Sequence, residues 1–347
     1  VPGGVAISII LVSTLFAATT GIVGASIVTM GVLGMPVLLK YGYDKKLSAG
    51  VIASGGTLGI LIPPSIMLIV LGAQAQVSVG KLFLAAIAPG LLLSASYLIY
   101  ILIVTLRNPK LGPPLSKEEA QQMPVKKRIV GSIIYLLPTL LLIVIVLGTI
   151  FTGIATPTES AAVGVVLAII LTLVYRKFSW QMLAESIYQT ARITAMTLII
   201  MIGASIFTAM FLALNGDVLV QNMVQSLGIG KWGVIVLMLV TAFVLGMFID
   251  WIGIVMILLP IFLPLLQYYE FNLLWAMTVL AVLLQTSFLT PPFGFALFYL
   301  KGVVPPEVTM TDIYRGMVPF IVIMLIVTAL VIVIPDLILW LPSLSNL

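Results

Sequence analysis

Residues 50–65 read GVIASGGTLGILIPPS, and residues 283–294 read LLQTSFLTPPFG. Both are apolar stretches that contain small or polar residues and a Pro-Pro pair. Proline removes an amide donor and clashes with the preceding helical turn, so a helix is expected to stop near each pair. Lipid cannot satisfy the backbone groups freed in this way, and a break at membrane depth must therefore line a cavity or bind a ligand. We predict two broken helices, interrupted at 55–59 and 285–290.

The two stretches are copies within a longer repeat. In both copies another proline, Pro36 or Pro264, lies 27 residues before the Pro-Pro pair, and a short turn precedes it at 20–24 or 249–253. Glycine and proline are common in membrane helices, which explains any one of these residues alone. It does not explain their equal spacing. Interrupted apolar segments at matching places in two halves are typical of a transporter binding site.

Composition places the chain in a membrane. Hydrophobic residues make up 62% and charged residues 8%, and the mean hydropathy is +1.29. A soluble domain needs far more surface charge, so this balance excludes that class. Segments of about 20 residues can cross a bilayer. Outside the two repeats we predict apolar spans at 84–106, 129–151, 160–175, 193–214 and 316–340, and an amphipathic segment at 218–228.

Loop charges indicate that the two copies are inverted. Lysine and arginine collect in loops 40–46, 107–128 and 176–192, which the positive-inside rule assigns to the cytoplasm. The loops between them carry few charges. A first hairpin within 5–39 therefore enters the membrane from the cytoplasm, and a second within 234–267 enters from outside.

The second repeat is preceded by a predicted helix at 193–214, whereas the first has no counterpart before Gly4. The symmetry therefore predicts at least one further helix upstream of Val1.

The residue types narrow the chemistry. The chain has no cysteine and no histidine, so it offers neither thiolate nor imidazole for zinc or iron, and no disulfide or histidine proton relay. Hydroxyl oxygens near the breaks are hard ligands suited to a small cation. They belong to Ser54, Thr57, Thr286, Ser287 and Thr290. Half-helices also point the positive ends of their dipoles at an anion, so each break offers a cation side and an anion side.

Charged residues inside the predicted membrane region are sparse. Asp250 lies at the tip of the second hairpin, where a carboxylate is costly and is by default a functional candidate with a cation partner. A structural ion pair is the alternative, although no basic residue is close in sequence. Glu159 has two interpretations, since Thr156 or Thr158 can cap a helix that Glu159 then stabilises, or Glu159 can bind an ion. Arg192 at a helix start can snorkel to the interface.

Several of these motifs resemble one protein family. Residues 50–65, 153–160 (GIATPTES) and 289–294 (LTPPFG) look like motifs of the large membrane subunit of tripartite ATP-independent periplasmic (TRAP) transporters. Residues 42–44 and 81–90 are similar too, and the resemblance covers essentially the whole chain. Many members have a serine-rich first hairpin tip, whereas this tip reads TGIVGAS, which resembles the branch associated with 2-oxo acids and similar monocarboxylates.

The resemblance implies a sodium symporter with an elevator mechanism and an inverted-repeat fold similar to the ion transporter superfamily. It would take up a small organic acid anion across a bacterial or archaeal cytoplasmic (inner) membrane. A periplasmic binding protein would deliver the anion, and a small membrane subunit would brace the large one. The resemblance implies no enzyme activity and no cofactor besides coupling sodium ions.

The resemblance also implies site residues by position. The sodium ligands would be Thr20, Gly24, Ser54, Gly55 and Thr57 in the first repeat, and Asp250, Gly253, Thr286, Ser287 and Thr290 in the second. The substrate would lie between the tips, at Thr20, Gly21, Ser26, Pro63, Asp250, Pro291, Pro292 and Gly294. Ser26 has a second interpretation as a partner in an interhelical hydrogen bond.

The repeat suggests a division into moving and static parts. Residues 1–90 and 231–319 are expected to form a mobile transport domain. Residues 91–230, with the cytoplasmic loop 107–128, and the C-terminal helix of 320–347 are expected to supply the scaffold.

Two other classes remain open. A proton-coupled or passive anion facilitator or channel would share the broken helices without sodium coupling, with Asp250 and Glu159 as the candidate proton carriers. An intramembrane enzyme is the other class. It is unsupported because Asp250 has no matching aspartate with which to form a carboxylate dyad.

Overall fold

The computed structural model describes residues 2–115, 125–226 and 228–345, and within them the chain forms α-helices and no strands. The first part contains α1 (Gly4–Thr20), α2 (Val23–Lys40), α3 (Lys45–Thr57), a 3-10 turn (Leu58–Ile60), α4 (Ile66–Ala75) and α5 (Val79–Arg107). The middle contains α6 (Val125–Phe151), α7 (Pro157–Val174), α8 (Trp180–Ala213) and α9 (Gly216–Ser226). The last part contains α10 (Lys231–Gly246), α11 (Trp251–Tyr268), α12 (Leu273–Leu289), α13 (Phe295–Lys301), α14 (Met310–Val333) and α15 (Asp336–Ser343).

The predicted all-α membrane class is confirmed. Six of the described helices, α2, α5, α7, α8, α11 and α14, are long and apolar enough to cross a membrane. Residues 116–124 of the predicted cytoplasmic loop lie outside the described residues.

Both copies of the repeat contain a helical hairpin followed by a broken helix. α1 and α2 turn at Gly21–Ile22, and α10 and α11 turn at residues 247–250. The four arms have 17, 18, 16 and 18 residues. At 1.5 Å per residue they are about 24–27 Å long, slightly less than the ~30 Å hydrocarbon core. The broken helices are α3 with α4, and α12 with α13.

The predicted position of the first break is too early. α3 remains helical through Gly55 and Gly56 to Thr57 and continues as a 3-10 turn, so the irregular segment is 61–65. The glycines permit close packing instead of a turn. A Cβ on Gly56 would lie 2.3 Å from Ile27 Cγ1, and a Cβ on Gly55 would lie 2.8 Å from Ser13 Oγ.

The second break is also later than predicted, at 290–294, because α12 continues to Leu289. Thr286 is compatible with the helix because its hydroxyl donates to Leu283 O at 2.6 Å. In both copies the prolines, which disfavour helix at the residue before them, set the end. The same rule corrects the span predicted at 316–340, since α14 ends at Val333, just before Ile334-Pro335.

The core is built by exchange between the two repeats. α14, which follows the second break, packs on α3, and α5, which follows the first break, packs on α12. α3 and α14 cross at two glycines, since a Cβ on Gly50 would lie 2.3 Å from Gly316 O. Each broken helix is thus held by the long helix of the other copy, and every residue of α12 from Trp275 to Leu289 is buried.

The middle helices are exposed by comparison. α8 has no buried residue, and in α7 only Ser160 is buried. α8 has 34 residues and is about 51 Å long, well beyond the ~30 Å core. An apolar helix with this exposure is compatible with contact to lipid or to another membrane subunit.

Candidate functional site

The first hairpin tip lies against the first break. A Cβ on Gly59 would lie 3.2 Å from Ser26 Oγ and 3.5 Å from Thr20 Oγ1, and those two hydroxyl oxygens are 2.7 Å apart. A Cβ on Gly21 would lie 3.4 Å from Pro64 O. The structure therefore brings three predicted site residues of the tip to the 59–64 segment, and Ser26 does form an interhelical hydrogen bond.

The predicted ligands on α3 lie farther from the tip. Gly55 contacts Ser13, about two turns before the tip on α1. The Ser54 hydroxyl donates to Gly50 O at 2.7 Å, and the Thr57 hydroxyl donates to Ser54 O at 2.9 Å. The contacts to the tip are thus made by the 59–64 segment rather than by Ser54 or Gly55.

Tyr299 on α13 was missed by sequence reasoning. Its ring covers the first tip, because a Cβ on Gly24 would lie 3.1–3.3 Å from the ring carbons at its hydroxyl end. The only signal in the sequence was the position of Tyr299 shortly after the second break. Nothing in that position indicates a contact with the first tip, since the contact depends on how the two repeats exchange helices.

The second hairpin tip meets the second break through other atoms. Phe293 N donates to Met247 O at 3.3 Å, and the rings of Phe248 and Phe293 lie 6.2 Å apart. One turn earlier on α10, Gly246 is in close contact with Ser287. Sequence reasoning found Ser287 but missed Gly246 as its partner.

Asp250 caps its own helix. Its carboxylate accepts a hydrogen bond from Ile252 N at 3.4 Å, at the start of α11. The nearest contact of a Cβ on Gly253 would be Ile249, within the same hairpin. On α12, the Thr290 hydroxyl donates to Thr286 O at 2.6 Å. Among the described side chains, the predicted ligands Asp250, Thr286 and Thr290 therefore bond within their own helices.

The two breaks differ in exposure. Pro63 is buried, whereas Pro291 and Pro292 are exposed to solvent or lipid. Gly294 begins α13 with a φ of 35°, a conformation that favours glycine. The second break is consequently the more accessible of the two.

Glu159 belongs to a capping box. The Thr156 hydroxyl accepts from Glu159 N, while Thr156 N donates to Glu159 Oε2 at 2.8 Å. This geometry satisfies two amides at the start of α7 and supports the capping interpretation over ion binding.

A concave surface of about 570 Å³ lies between α5 and α15, lined mainly by apolar residues such as Leu337 and Trp340. Neither break contributes to its lining, so it is not the predicted site.

The contact between Gly246 and Ser287 has a counterpart in the first repeat. With the offsets of 229 and 228 residues, Gly246 corresponds to Ala17 and Ser287 to Gly59, and a Cβ on Gly59 would lie 3.7 Å from Ala17 Cα. One partner is glycine in each pair. The close approach of hairpin and broken helix is therefore shared by the two copies, with the larger residue on opposite sides.

We expect Gly246→Ala to lower the thermal unfolding temperature of the purified protein. The new Cβ would lie 2.0 Å from Ser287 Oγ and 2.2 Å from Ser287 Cβ, and overpacking of this kind costs about 1–3 kcal/mol. Adding Ser287→Gly recreates the Ala17–Gly59 arrangement and should restore much of the loss. Strict additivity of the two single changes in a double-mutant cycle would contradict the contact.

Comparison with known proteins agrees with the motifs. A family model described as "Tripartite ATP-independent periplasmic transporter, DctM component" matches residues 1–337. Over 344 residues the chain is 31% identical to a C4-dicarboxylate TRAP transporter large permease protein of Pseudomonas aeruginosa, covering 98% of this chain and 78% of that protein. Over 349 residues it is 31% identical to an ectoine/5-hydroxyectoine TRAP transporter large permease protein of Ruegeria pomeroyi, covering 99% and 78%. Over 338 residues it is 27% identical to a 2,3-diketo-L-gulonate TRAP transporter large permease protein of Escherichia coli, covering 97% and 77%.

Proposed function

The chain belongs to the DctM-component family of tripartite ATP-independent periplasmic transporters, and from this premise we propose that it imports a small organic acid anion by sodium-coupled movement of its two repeats. Its relatives are named as transporter permease subunits, so the protein is a transport subunit and not an enzyme. The solute class rests on relatives named for a C4-dicarboxylate and for 2,3-diketo-L-gulonate.

The observation that carries the sodium proposal is the state of the buried hydroxyls. Ser54, Thr57, Thr286 and Thr290 each donate their proton to a carbonyl of their own helix. A hydroxyl oxygen that has given its proton away keeps its lone pairs for a cation. Hard oxygen ligands in an otherwise apolar core suit a small alkali cation, and they supply nothing for a transition metal.

The two tips differ in a way that favours separate roles for cation and anion. Asp250 places a carboxylate at the start of α11, which favours a cation there. At the first tip, Ile22 precedes α2 and provides no side-chain cap, so the first amides of α2 and the nearby hydroxyls of Thr20 and Ser26 are available to an anion. In this proposal the solute lies between the tips, nearer to the first, and the two sodium sites have the ligands predicted above.

Coupling follows from differential affinity. Sodium would order the tips against the breaks, and the anion would bind the sodium-loaded state more tightly than the empty one, because only such a difference can shift a population. The moving unit is 1–90 with 231–319, and the exposed middle helices and the C-terminal helix form the scaffold. We assign the small membrane subunit to this scaffold, a periplasmic binding protein to solute delivery, and the complex to the cytoplasmic (inner) membrane.

The test is uptake into proteoliposomes that contain the complete transporter, with its binding protein outside. Labelled succinate, 2,3-diketo-L-gulonate, ectoine and pyruvate would be compared under an inward sodium gradient, an inward potassium gradient and a proton gradient. Accumulation of one acid anion with sodium alone is the expected result. Uptake that follows the proton gradient, or that needs no gradient, would instead favour the proton-coupled or passive alternative.

A further inference from the structure

Gln285 is an exception in the core. It is 0% exposed, and neither its Nε2 nor its Oε1 has a hydrogen-bond partner among the described residues. Every other buried polar side chain in the described part of the chain belongs to serine or threonine. A carboxamide has two donor hydrogens and an acceptor oxygen, and burying them unpaired is among the more costly arrangements in a core.

The serine and threonine side chains largely avoid this cost. Thr278 and Thr286 on the same helix, for example, return their protons to carbonyls three or four residues earlier. Because the Gln285 side chain is longer and carries two polar atoms, one backbone carbonyl cannot satisfy it. Buried unpaired groups of this kind are expected where a site needs them.

The position of Gln285 relates it to the predicted site. It lies six residues before Pro291, as Thr57 lies six residues before Pro63, so the two residues are equivalents in the repeat. The Thr57 hydroxyl is satisfied within α3. Each broken helix therefore has one buried polar residue at this register, and in the second repeat that residue is unpaired.

Helical geometry indicates which way Gln285 points. Ser287 faces α10 through Gly246, and Trp275 Nε1 donates to Val331 O on α14. At 100° per residue, Gln285 lies about 160° around α12 from Ser287 and about 80° from Trp275. The other helices that pack on α12 include α3, α4 and α5 of the first repeat. Gln285 thus lies on the side of α12 turned away from its own hairpin, where the two repeats meet.

We propose that the Gln285 carboxamide is a binding group for the transported anion and that its Nε2 donates to a carboxylate oxygen at the junction of the repeats. This inference rests on the proposed function, and it adds a residue that neither the family motifs nor the repeat spacing singled out. The unpaired amide costs stability in the empty transporter, and the anion offsets that cost on binding. Gln285 is therefore a specificity-determining residue, because an amide donor suits a carboxylate.

The proposal predicts that stability and affinity change independently. Gln285→Met keeps the length of the side chain and removes both polar atoms. Gln285→Glu keeps an acceptor oxygen but replaces the donor with a group that repels an anion. The half-saturation concentration for the anion should rise about tenfold to a hundredfold in Gln285→Met, the effect of losing one hydrogen bond to a charged group, and further in Gln285→Glu. The unfolding temperature of solute-free Gln285→Met should equal or exceed that of the wild type.

The measurement is counterflow in proteoliposomes of the complete transporter, with labelled succinate or the panel member that the wild type transports. Gln267→Met, an exposed glutamine at the end of α11, is the control and should match the wild type. Wild-type half-saturation in both Gln285 variants would overturn the proposal, as would wild-type half-saturation in Gln285→Glu alone, which would leave the amide proton without a role. A wild type that transports none of the panel counts against the proposed function instead, and so is distinguishable.

Discussion

Asp250→Asn is expected to abolish sodium-driven uptake while the protein folds normally. Asparagine caps helices about as well as aspartate, so the bond from Ile252 N and the start of α11 should survive. What is lost is the charge that would hold sodium. A hydrogen bond or ligand contact to a charged group is worth ~1.5–3 kcal/mol, so initial uptake under a sodium gradient should fall at least tenfold.

Asp44→Asn is the matched control for this change. Asp44 caps α3 and accepts hydrogen bonds from Lys46 N and Leu47 N, both at 3.0 Å. The variant loses the same charge at another helix start, outside the two breaks, and should transport like the wild type. If sodium-dependent uptake persisted in Asp250→Asn, the transporter assignment would stand, but Asp250 would have no place among the sodium ligands.

Gly316→Ala is expected to prevent stable packing of the two repeats. The new Cβ would lie 2.1 Å from Lys46 O, 2.9 Å from Lys46 C and 3.2 Å from Gly50 N. All three atoms are backbone, so no side-chain rotation relieves the contact, and α3 and α14 must separate. We expect a loss above the usual ~1–3 kcal/mol for overpacking, measured as a lower thermal unfolding temperature in detergent and a lower yield of folded protein.

Gly203→Ala serves as its control. Gly203 lies in the middle of α8, and a Cβ there would meet no atom within 4 Å. Alanine in an open helical position should be neutral, or stabilising by roughly 0.5–1 kcal/mol, because glycine loses more backbone entropy. Equal unfolding temperatures for Gly316→Ala and Gly203→Ala would contradict the close backbone crossing of α3 and α14.

Sequence patterns were informative about the breaks but not about their positions. Pro291 and its counterpart Pro63 act locally, since a proline disturbs the turn before it wherever it stands. Glycine is ambiguous, because it permits both a turn and a close helix contact. The sequence favoured a turn at Gly55 and Gly56, and packing against α1 and α2 decided otherwise.

The assignment of Glu159 shows the opposite case. Its spacing from Thr156 is that of a capping box, in which all partners lie within one helical turn. The structure therefore needed only to select between two interpretations that the sequence already offered. No such local rule exists for Tyr299, whose contact with Gly24 joins residues 275 positions apart.

Properties that act within one segment were thus determined by the sequence alone. They include the membrane class, the two hairpins, the existence of the breaks and the helix caps, because run length, proline and capping chemistry work at short range. Contacts between segments were decided only by tertiary packing. Gly50 meets Gly316 across 266 residues of chain, and Gln285 is unpaired because of what surrounds α12, not because of its neighbours in sequence. α12 is buried on every side, so apolar periodicity does not distinguish its faces, and the order in which two repeats exchange helices is set by the fit of their surfaces.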